Sequence, residues 1–568
     1  METFQSQLTR KLARALETAR FELPPDVSPA SAPRFGDYQT NAALVLAKQR
    51  GENPRKIAAA IIEHLEVGEF CEPPSLAGAG FINFRLKRKA VENKTAELLR
   101  DQRLSVEKIS PAKLIVIDFG SPNVAKPMHV GHIRSTLLGD ALARIAQFLG
   151  HEVIRDNHIG DWGTQFGMVI YGWKHLLDRT ALARDPIAEL VRIYKETNER
   201  ATQDEAVRKA ARGELVKLQG GDAENFSIWK KCVDLSMQEF DRAYELLDIH
   251  YDIVRGESFY NDRLPGVVER LLKSGIAEIS EGAVCVFFRD IPDLADKPCI
   301  IRKRDGGYNY ATSDVATVDY RISHLKRDAI WIVTGAPQQL HFRQIFEIAR
   351  REGYRAEFRH ITHGSILGED RKLMKTRAGE NVPLRDLLEE GISRASRIIG
   401  EKNPELSKQE REQIAKVIGI GAIKYADLAQ YRMTDYVFSW DRMLSLHGNT
   451  APYLQNAYVR IRSIFRKLDK AFAAPAELSL SQPAELELAK KLCQFAEIVP
   501  QVLNDFRPNI LASYLFELAN NFHGFYEACP VLKAEEPARS SRLALCDLTA
   551  RVLHRGLDLL GIRVPEKM

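Results

Sequence analysis

Lys113-Leu114-Ile115-Val116-Ile117-Asp118-Phe119-Gly120-Ser121-Pro122-Asn123-Val124-Ala125-Lys126-Pro127-Met128-His129-Val130-Gly131-His132 is the stretch that decides the fold. Leu114 to Ile117 is a short unbroken apolar run, the pattern of a strand buried on both faces. A loop with Pro122 and Pro127 follows. A strong helix comes next: Ile133, Leu137, Ala141, Ile145 and Leu149 recur every four residues, and Gly150 sits where a helix C-cap belongs. Glu152-Val153-Ile154 reads as the next strand, which completes a βαβ unit. In an open parallel sheet, ligands bind beyond the carboxyl ends of the strands. The loop Ser121 to His132 lies at that place. His129 and His132 stand three apart at the start of a helix, where imidazoles can donate to phosphate oxygens and the unpaired helix N–H groups add positive potential. Gly131 allows a nucleotide close to the backbone, and Lys126 adds a mobile cation. Taken as residues alone, the two histidines could instead cap the helix or bind a metal, although a third ligand at fixed spacing is missing. Their position right after a buried strand points to nucleotide binding.

Outward from this stretch, a long charged helical segment from about Gly172 to Asp248 interrupts the α/β pattern. The pattern resumes with a strand at Ala329 to Val333, a helix at Gln338 to Arg351 and a strand at Phe358 to Thr362. The spacing predicts a multidomain α/β chain with four parts. Residues 1–108 form an α+β N-terminal domain: Leu8, Leu12 and Leu16 give one apolar helical face, prolines break the chain between 24 and 33, and Gly80 to Leu86 alternates like a strand. Residues 109–385 form a doubly wound parallel-sheet domain with a helical insertion at about 172–260. Residues 386–449 are a helical connection, and 450–568 an all-helical domain. An early helix of that last domain, Tyr453 to Lys470, carries Arg460, Arg462, Arg466, Lys467 and Lys470.

With 568 residues, one core is too few. The formal charge of +5 does not establish nucleic-acid binding and permits a basic face if charges are unevenly placed. Seven cysteines, at 71, 232, 285, 299, 493, 529 and 546, include no C-x-x-C pair. No structural zinc is therefore expected, and reduced thiols in a cytoplasm are. Met1 to Arg20 has no apolar signal-peptide core, and no run of about 18 apolar residues exists to span a membrane.

His-Val-Gly-His resembles the HIGH motif of class I aminoacyl-tRNA synthetases. The longer string from Ser121 to Thr136 is similar to arginyl-tRNA synthetases in particular. So are Asn157-His158-Ile159-Gly160-Asp161-Trp162-Gly163-Thr164-Gln165-Phe166-Gly167, Phe438 to Leu444, Gly448 to Gln455 and the end Val564 to Met568. The resemblance covers nearly the whole chain. It implies a Rossmann-like catalytic domain, an anticodon-binding C-terminal domain, and the activation of L-arginine by ATP, with Mg2+ accompanying the ATP. The arginyl group then passes to the terminal adenosine of tRNA(Arg). Another class I synthetase is the nearest alternative, and a monomer is expected.

The family's second nucleotide loop, KMSKS, matches Leu373 to Gly379, with Met374, Lys375, Thr376 and Arg377 on the ATP side. Thr376 stands where the motif has its second lysine. By itself this loop reads as a solvated basic turn. The resemblance implies that Lys126, upstream of the histidines, compensates. The physics allows it, because the charge that develops on a departing triphosphate needs a cation and not a particular strand.

A guanidinium is planar and always charged, so its pocket should hold a carboxylate with polar and aromatic neighbours. Tyr310 and Asp314 are four apart, on one face if helical. Alone, Asp314 reads as a solvated or capping residue and Tyr310 as core. The resemblance implies that both hold the substrate guanidinium, that Gln338 contacts arginine, and that Ser121, Asn123 and His132 do so from the first loop. Asp118 stands where relatives can carry glutamate. The resemblance also implies that the N-terminal domain contacts the tRNA elbow, with Phe81, Asn83 and Phe84 as candidates for base contact; the phenylalanines are as readily core. Arg460, Arg462 and Arg466 suit tRNA phosphates, or equally a solvated helix face.

Overall fold

Leu114–Asp118 (β1) is the central strand of a five-stranded, wholly parallel sheet. Its partners are Glu152–Ile159 (β2), Ile253–Gly256 (β3), Ala329–Gly335 (β4) and Glu357–His363 (β5), in the order β5-β4-β1-β2-β3. The chain leaves β1 for β2 on one side and later returns to β4 on the other, so the strand order reverses beside β1. A crevice opens at such a reversal, and the loop after β1 lies in it. The computed structural model describes residues 2–375, 381–468 and 470–568. These group into one unit of residues 109–445 with 559–562, and a second of residues 1–108, 446–558 and 563–568.

The parallel sheet has a core on each face, as alternation along a both-side-buried strand requires. On one face Val116, Ile330 and Ile332 pack with Val315, Phe342, Ile345 and Phe346, from Tyr310–Ser323 (α2) and Gln339–Arg351 (α3). On the other lies Val130–Phe148 (α1), buried along most of its length. α1 approaches closely because Gly139 has no side chain: a Cβ there would sit 2.2 Å from Cγ of Phe119. Gly150 follows α1 at φ +96°, the left-handed C-cap expected from the sequence. Helices Leu384–Lys402 and Lys408–Leu428 belong to this unit as well.

Four long helices form the insertion: Gln165–Leu176, Pro186–Gln203, Glu205–Gln219 and Ala223–Leu246. They enclose a second core of Phe166, Val169, Ile170, Leu190, Ile193 and Cys232. The sequence reading carried the insertion to about residue 260, but Ile253–Gly256 pairs with β2 and belongs to the sheet. As an edge strand with Val254 43% exposed, it lacks the unbroken apolar pattern of a central one. A three-stranded antiparallel sheet, Glu278–Ser280, Ala283–Val286 and Cys299–Arg302, was also not anticipated.

In the second unit, four short strands pair in the order Ser28–Pro29, Tyr38–Thr40, Phe81–Phe84, Ser75–Ala77. This N-terminal part packs on helices from the far end of the chain. The Tyr38 hydroxyl meets the Glu497 carboxyl at 3.0 Å, Lys490 Nζ lies 2.9 Å from Asp37 Oδ1, and Leu480 N–H donates to Glu92 at 2.9 Å. No helix among the described residues is long and apolar enough to cross a membrane.

Candidate functional site

His129 is the N-cap of α1, and its Nδ1 accepts the Gly131 N–H at 3.1 Å. His132 reaches back so that its Nδ1 accepts the His129 N–H, also at 3.1 Å. The pair therefore forms a capping box built from histidines. A ring nitrogen that accepts an N–H carries no proton, so in the neutral ring the proton is on Nε2. Both rings are held neutral. Burial, with Lys126 nearby, lowers the His129 pKa; burial and His129 bring that of His132 to about 4. The rings lie 4.0 Å apart. Capping and ligand binding are therefore compatible: Nδ1 holds the helix, and Nε2–H is the donor left for an anion.

The loop between β1 and α1 is fixed from below. Gly120 has φ +90°, and a Cβ there would meet Tyr251 Oη at 2.4 Å. Ser121, with φ +47°, donates its N–H to Asn157 Oδ1 at 3.1 Å and its hydroxyl to Asp118 Oδ1 at 3.2 Å. Asp118 is buried, and its other oxygen accepts from Arg321 Nη2 at 2.6 Å, which also reaches Asp156 at 2.9 Å. A buried guanidinium with two carboxylates is a paired charge group. Asp118 is thus engaged beneath Ser121. Asn123 bridges Gly160 and is exposed, as is Lys126, whose Nζ sits 5.9 Å over the Tyr194 ring.

Tyr310 and Asp314 lie one turn apart at the start of α2, as their spacing implied. Tyr310 is 60% exposed, so it is not core. Its ring packs 4.8 Å from His341, and Nε2 of His341 is 2.6 Å from Asp314 Oδ2. Gln338 is exposed in the turn between β4 and α3. Two neighbours were missed by sequence reasoning. His341 was within sight, in the string Pro337-Gln338-Gln339-Leu340-His341. Glu257 directly follows β3; burial, then Asp314 and Asp161, raise its carboxyl pKa to about 8. Burial is the main cause, and the charges of the two carboxylates add to it.

Met374 and Lys375 lie in a short hairpin: Met374 N–H donates to Ile366 O, and Lys375 bridges Asn381. Thr376 and Arg377 lie outside the described residues. The far side of this loop meets the first one: Val130 N–H donates to Val382 O, and Leu384 N–H to Met128 O, both at 2.9 Å. Residues 382–384 therefore run beside His129.

The residues proposed for RNA are not gathered in one place. Phe84 is wholly buried, and Phe81 half-buried. Asn83 is 4% exposed, and both backbone edges of its strand are paired, so neither its side chain nor its backbone is open to a base here. Arg460 lies beside His523 at 3.4 Å and over the Tyr526 ring. Arg462 lines a cavity of about 310 Å³ with Asp547, Arg551 and His554. Arg466 donates to Glu566 O at 3.1 Å. Arg460 stands apart from the other two, since residues two apart on a helix point about 200° apart, whereas Arg462 and Arg466, four apart, share a face.

Residues 94–440 match the family described as "tRNA synthetases class I (R), catalytic domain", residues 3–86 "Arginyl tRNA synthetase N terminal domain", and residues 454–568 "DALR anticodon binding domain". A protein of Synechococcus sp. named arginine–tRNA ligase is 46% identical over 558 residues, 96% of this chain and 95% of that one. The chain belongs to the arginyl-tRNA synthetases. Two solved arginyl-tRNA synthetases are similar over the full length of both chains. That of Plasmodium falciparum has a TM-score of 0.86 at 30% identity, and that of Thermus thermophilus 0.85 at 27%. The histidine capping box, Glu257 and Asp314 all lie within the matched catalytic domain.

Proposed function

We propose that the chain is an arginine–tRNA ligase. It joins L-arginine and ATP, which enters as its magnesium complex, into arginyl-AMP and pyrophosphate, and passes the arginyl group to the 2′-hydroxyl of the terminal adenosine of tRNA(Arg). The observation that carries this reading is the Asp314 carboxylate, held by His341 beside the exposed ring of Tyr310, in a chain that matches arginine–tRNA ligases over 96% of its length. Asp314, Glu257 and Tyr310 hold the guanidinium; Ser121, Asn123, His132 and Gln338 orient the rest of the amino acid, with Asp118 positioning Ser121. The arginine carboxylate attacks the α-phosphorus, the bond to the β-phosphate oxygen breaks, and no covalent enzyme intermediate forms. The Nε2–H groups of His129 and His132 donate to phosphate oxygens near the backbone of Gly131. Lys126 balances the charge of the leaving pyrophosphate. Met374, Lys375, Thr376 and Arg377 flank ATP from the second loop.

For tRNA, the aromatic and basic group of Tyr453, His523, Tyr526 and Arg460 suits unpaired bases, by stacking with nearby positive charge. Arg462 and Arg466, four residues apart on one face of the same helix, reach phosphate, and the half-buried Phe81 serves the tRNA elbow. The enzyme works as a cytoplasmic monomer. Arginine-dependent ATP–pyrophosphate exchange, with and without tRNA, tests the reading. Exchange driven by another amino acid, or none under either condition, overturns it.

A further inference from the structure

Lys126 is carried by a loop whose shape is set by the helical insertion. Val124 and Ala125 are buried in the insertion's own core, with Phe166, Val169 and Cys232. Ala125 has φ +61°, a conformation that L-residues adopt only where their surroundings impose it. The imposing group is Ser236, on the helix Ala223–Leu246. Its Oγ accepts the Ala125 N–H at 3.0 Å. Its own proton goes to Cys232 O at 2.8 Å, so a lone pair is aimed at the loop. Ser236 is fully buried. On the other side, Val124 N–H donates to Gly160 O and Gly160 N–H to Pro122 O, both at 3.0 Å, which ties the loop to β2. The next residue, Lys126, is exposed and rests near Tyr194, on another insertion helix.

We propose that Ser236 is a positioning residue for adenylate formation, acting through the Ala125 N–H to hold the Lys126 ammonium where the triphosphate needs it. This rests on the reading of Lys126 as the compensating cation. Without the hydroxyl, a buried N–H loses its acceptor and the left-handed turn loses what imposes it. The peptide then relaxes, and the lysine at its carboxyl side is displaced. A cation out of place lowers the rate of the step more than it weakens substrate binding.

The test is a double-mutant cycle in arginine-dependent pyrophosphate exchange with tRNA present, on the full chain. Ser236→Ala is expected to lower kcat about 10- to 100-fold, with the KM for arginine within about twofold. Ser236→Cys keeps the volume and a weak acceptor; it should fall between, and it serves if the alanine variant folds poorly. Lys126→Ala should lower kcat by itself, and adding Ser236→Ala should cost little more, because the two act as a unit. Full additivity overturns the positioning role, as does an unchanged kcat in both Ser236 variants. A silent Lys126→Ala overturns the reading of the lysine and this inference with it. A loss in Ser236→Ala that persists undiminished in the Lys126→Ala background overturns this inference alone.

Discussion

Oδ2 of Asp314 lies 2.6 Å from Nε2 of His341, so the carboxylate at the head of α2 has a partner before any substrate arrives. The histidine orients the carboxylate. Asp314→Asn should abolish arginine binding while ATP binding persists, because a guanidinium needs in-plane charged acceptors. His341→Ala should weaken arginine about 5- to 30-fold, the worth of one charge-assisted hydrogen bond. Titration calorimetry with each ligand separates the two results; equal loss of ATP and arginine binding would point to a collapsed site.

Glu257 gives the arginine site a pH dependence of known sign. Its carboxyl pKa is raised to about 8, through burial and then Asp314 and Asp161. A guanidinium favours the ionised form, so binding below pH 8 releases a proton. Arginine affinity should rise up to about tenfold per pH unit towards 8 and level off above it. Calorimetry in buffers of different ionisation enthalpy counts the proton. Glu257→Gln should bind arginine more weakly and release none.

The two duties of His129 can be divided. Asparagine is a good N-cap and lacks an Nε2–H. His129→Asn should keep the thermal midpoint of the wild type and lose about 100- to 1000-fold in kcat for exchange. His129→Ala should lose the same activity and about 1 kcal/mol of stability as well. Equal stability of the two variants would show that the cap contributes nothing.

Glu497 is buried, and its pKa is raised to about 7, by desolvation opposed by the Gln5 N–H and the Tyr38 hydroxyl. Unfolded, the same group ionises near the ordinary value of 4.5. Between these values the folded form holds more protons, so stability falls as pH rises from 4.5 to 7, by roughly 2–3 kcal/mol in all. Glu497→Gln should flatten that slope in denaturant titrations from pH 5 to 8. An unchanged slope would place the dependence elsewhere.

Gly139→Ala puts a methyl into the Phe119 ring. The cost should be about 1–3 kcal/mol of stability, with relief by Phe119→Leu. A neutral Gly139→Ala in thermal unfolding would mean that α1 can move off the sheet.

The βαβ unit was legible because β1 is buried on both faces and α1 repeats its apolar residues without a break. The edge strand β3 was not, because only Gly256 of its four residues is buried and its pattern merges with the helices before it. The strand Ser28–Pro29 contains a proline and is two residues long, below what alternation can reveal. Within the site, Tyr310 and Asp314 follow from helical spacing. Glu257 and His341 do not: His341 meets Asp314, and Glu257 feels its charge, across a chain separation that no local pattern encodes. The splaying of Arg460 from Arg462 was available from spacing alone, as two steps on a helix turn a side chain to the opposite face.

The second unit is built from both ends of the chain, with Tyr38 lodged against Glu497. A ribosome makes roughly 5–20 residues per second, so the first hundred residues wait on the order of half a minute for the helices that cover them. During that interval the surface around Tyr38 and Asp37 is open to solvent. An isolated N-terminal fragment would keep that surface exposed for good, and aggregation is its expected fate.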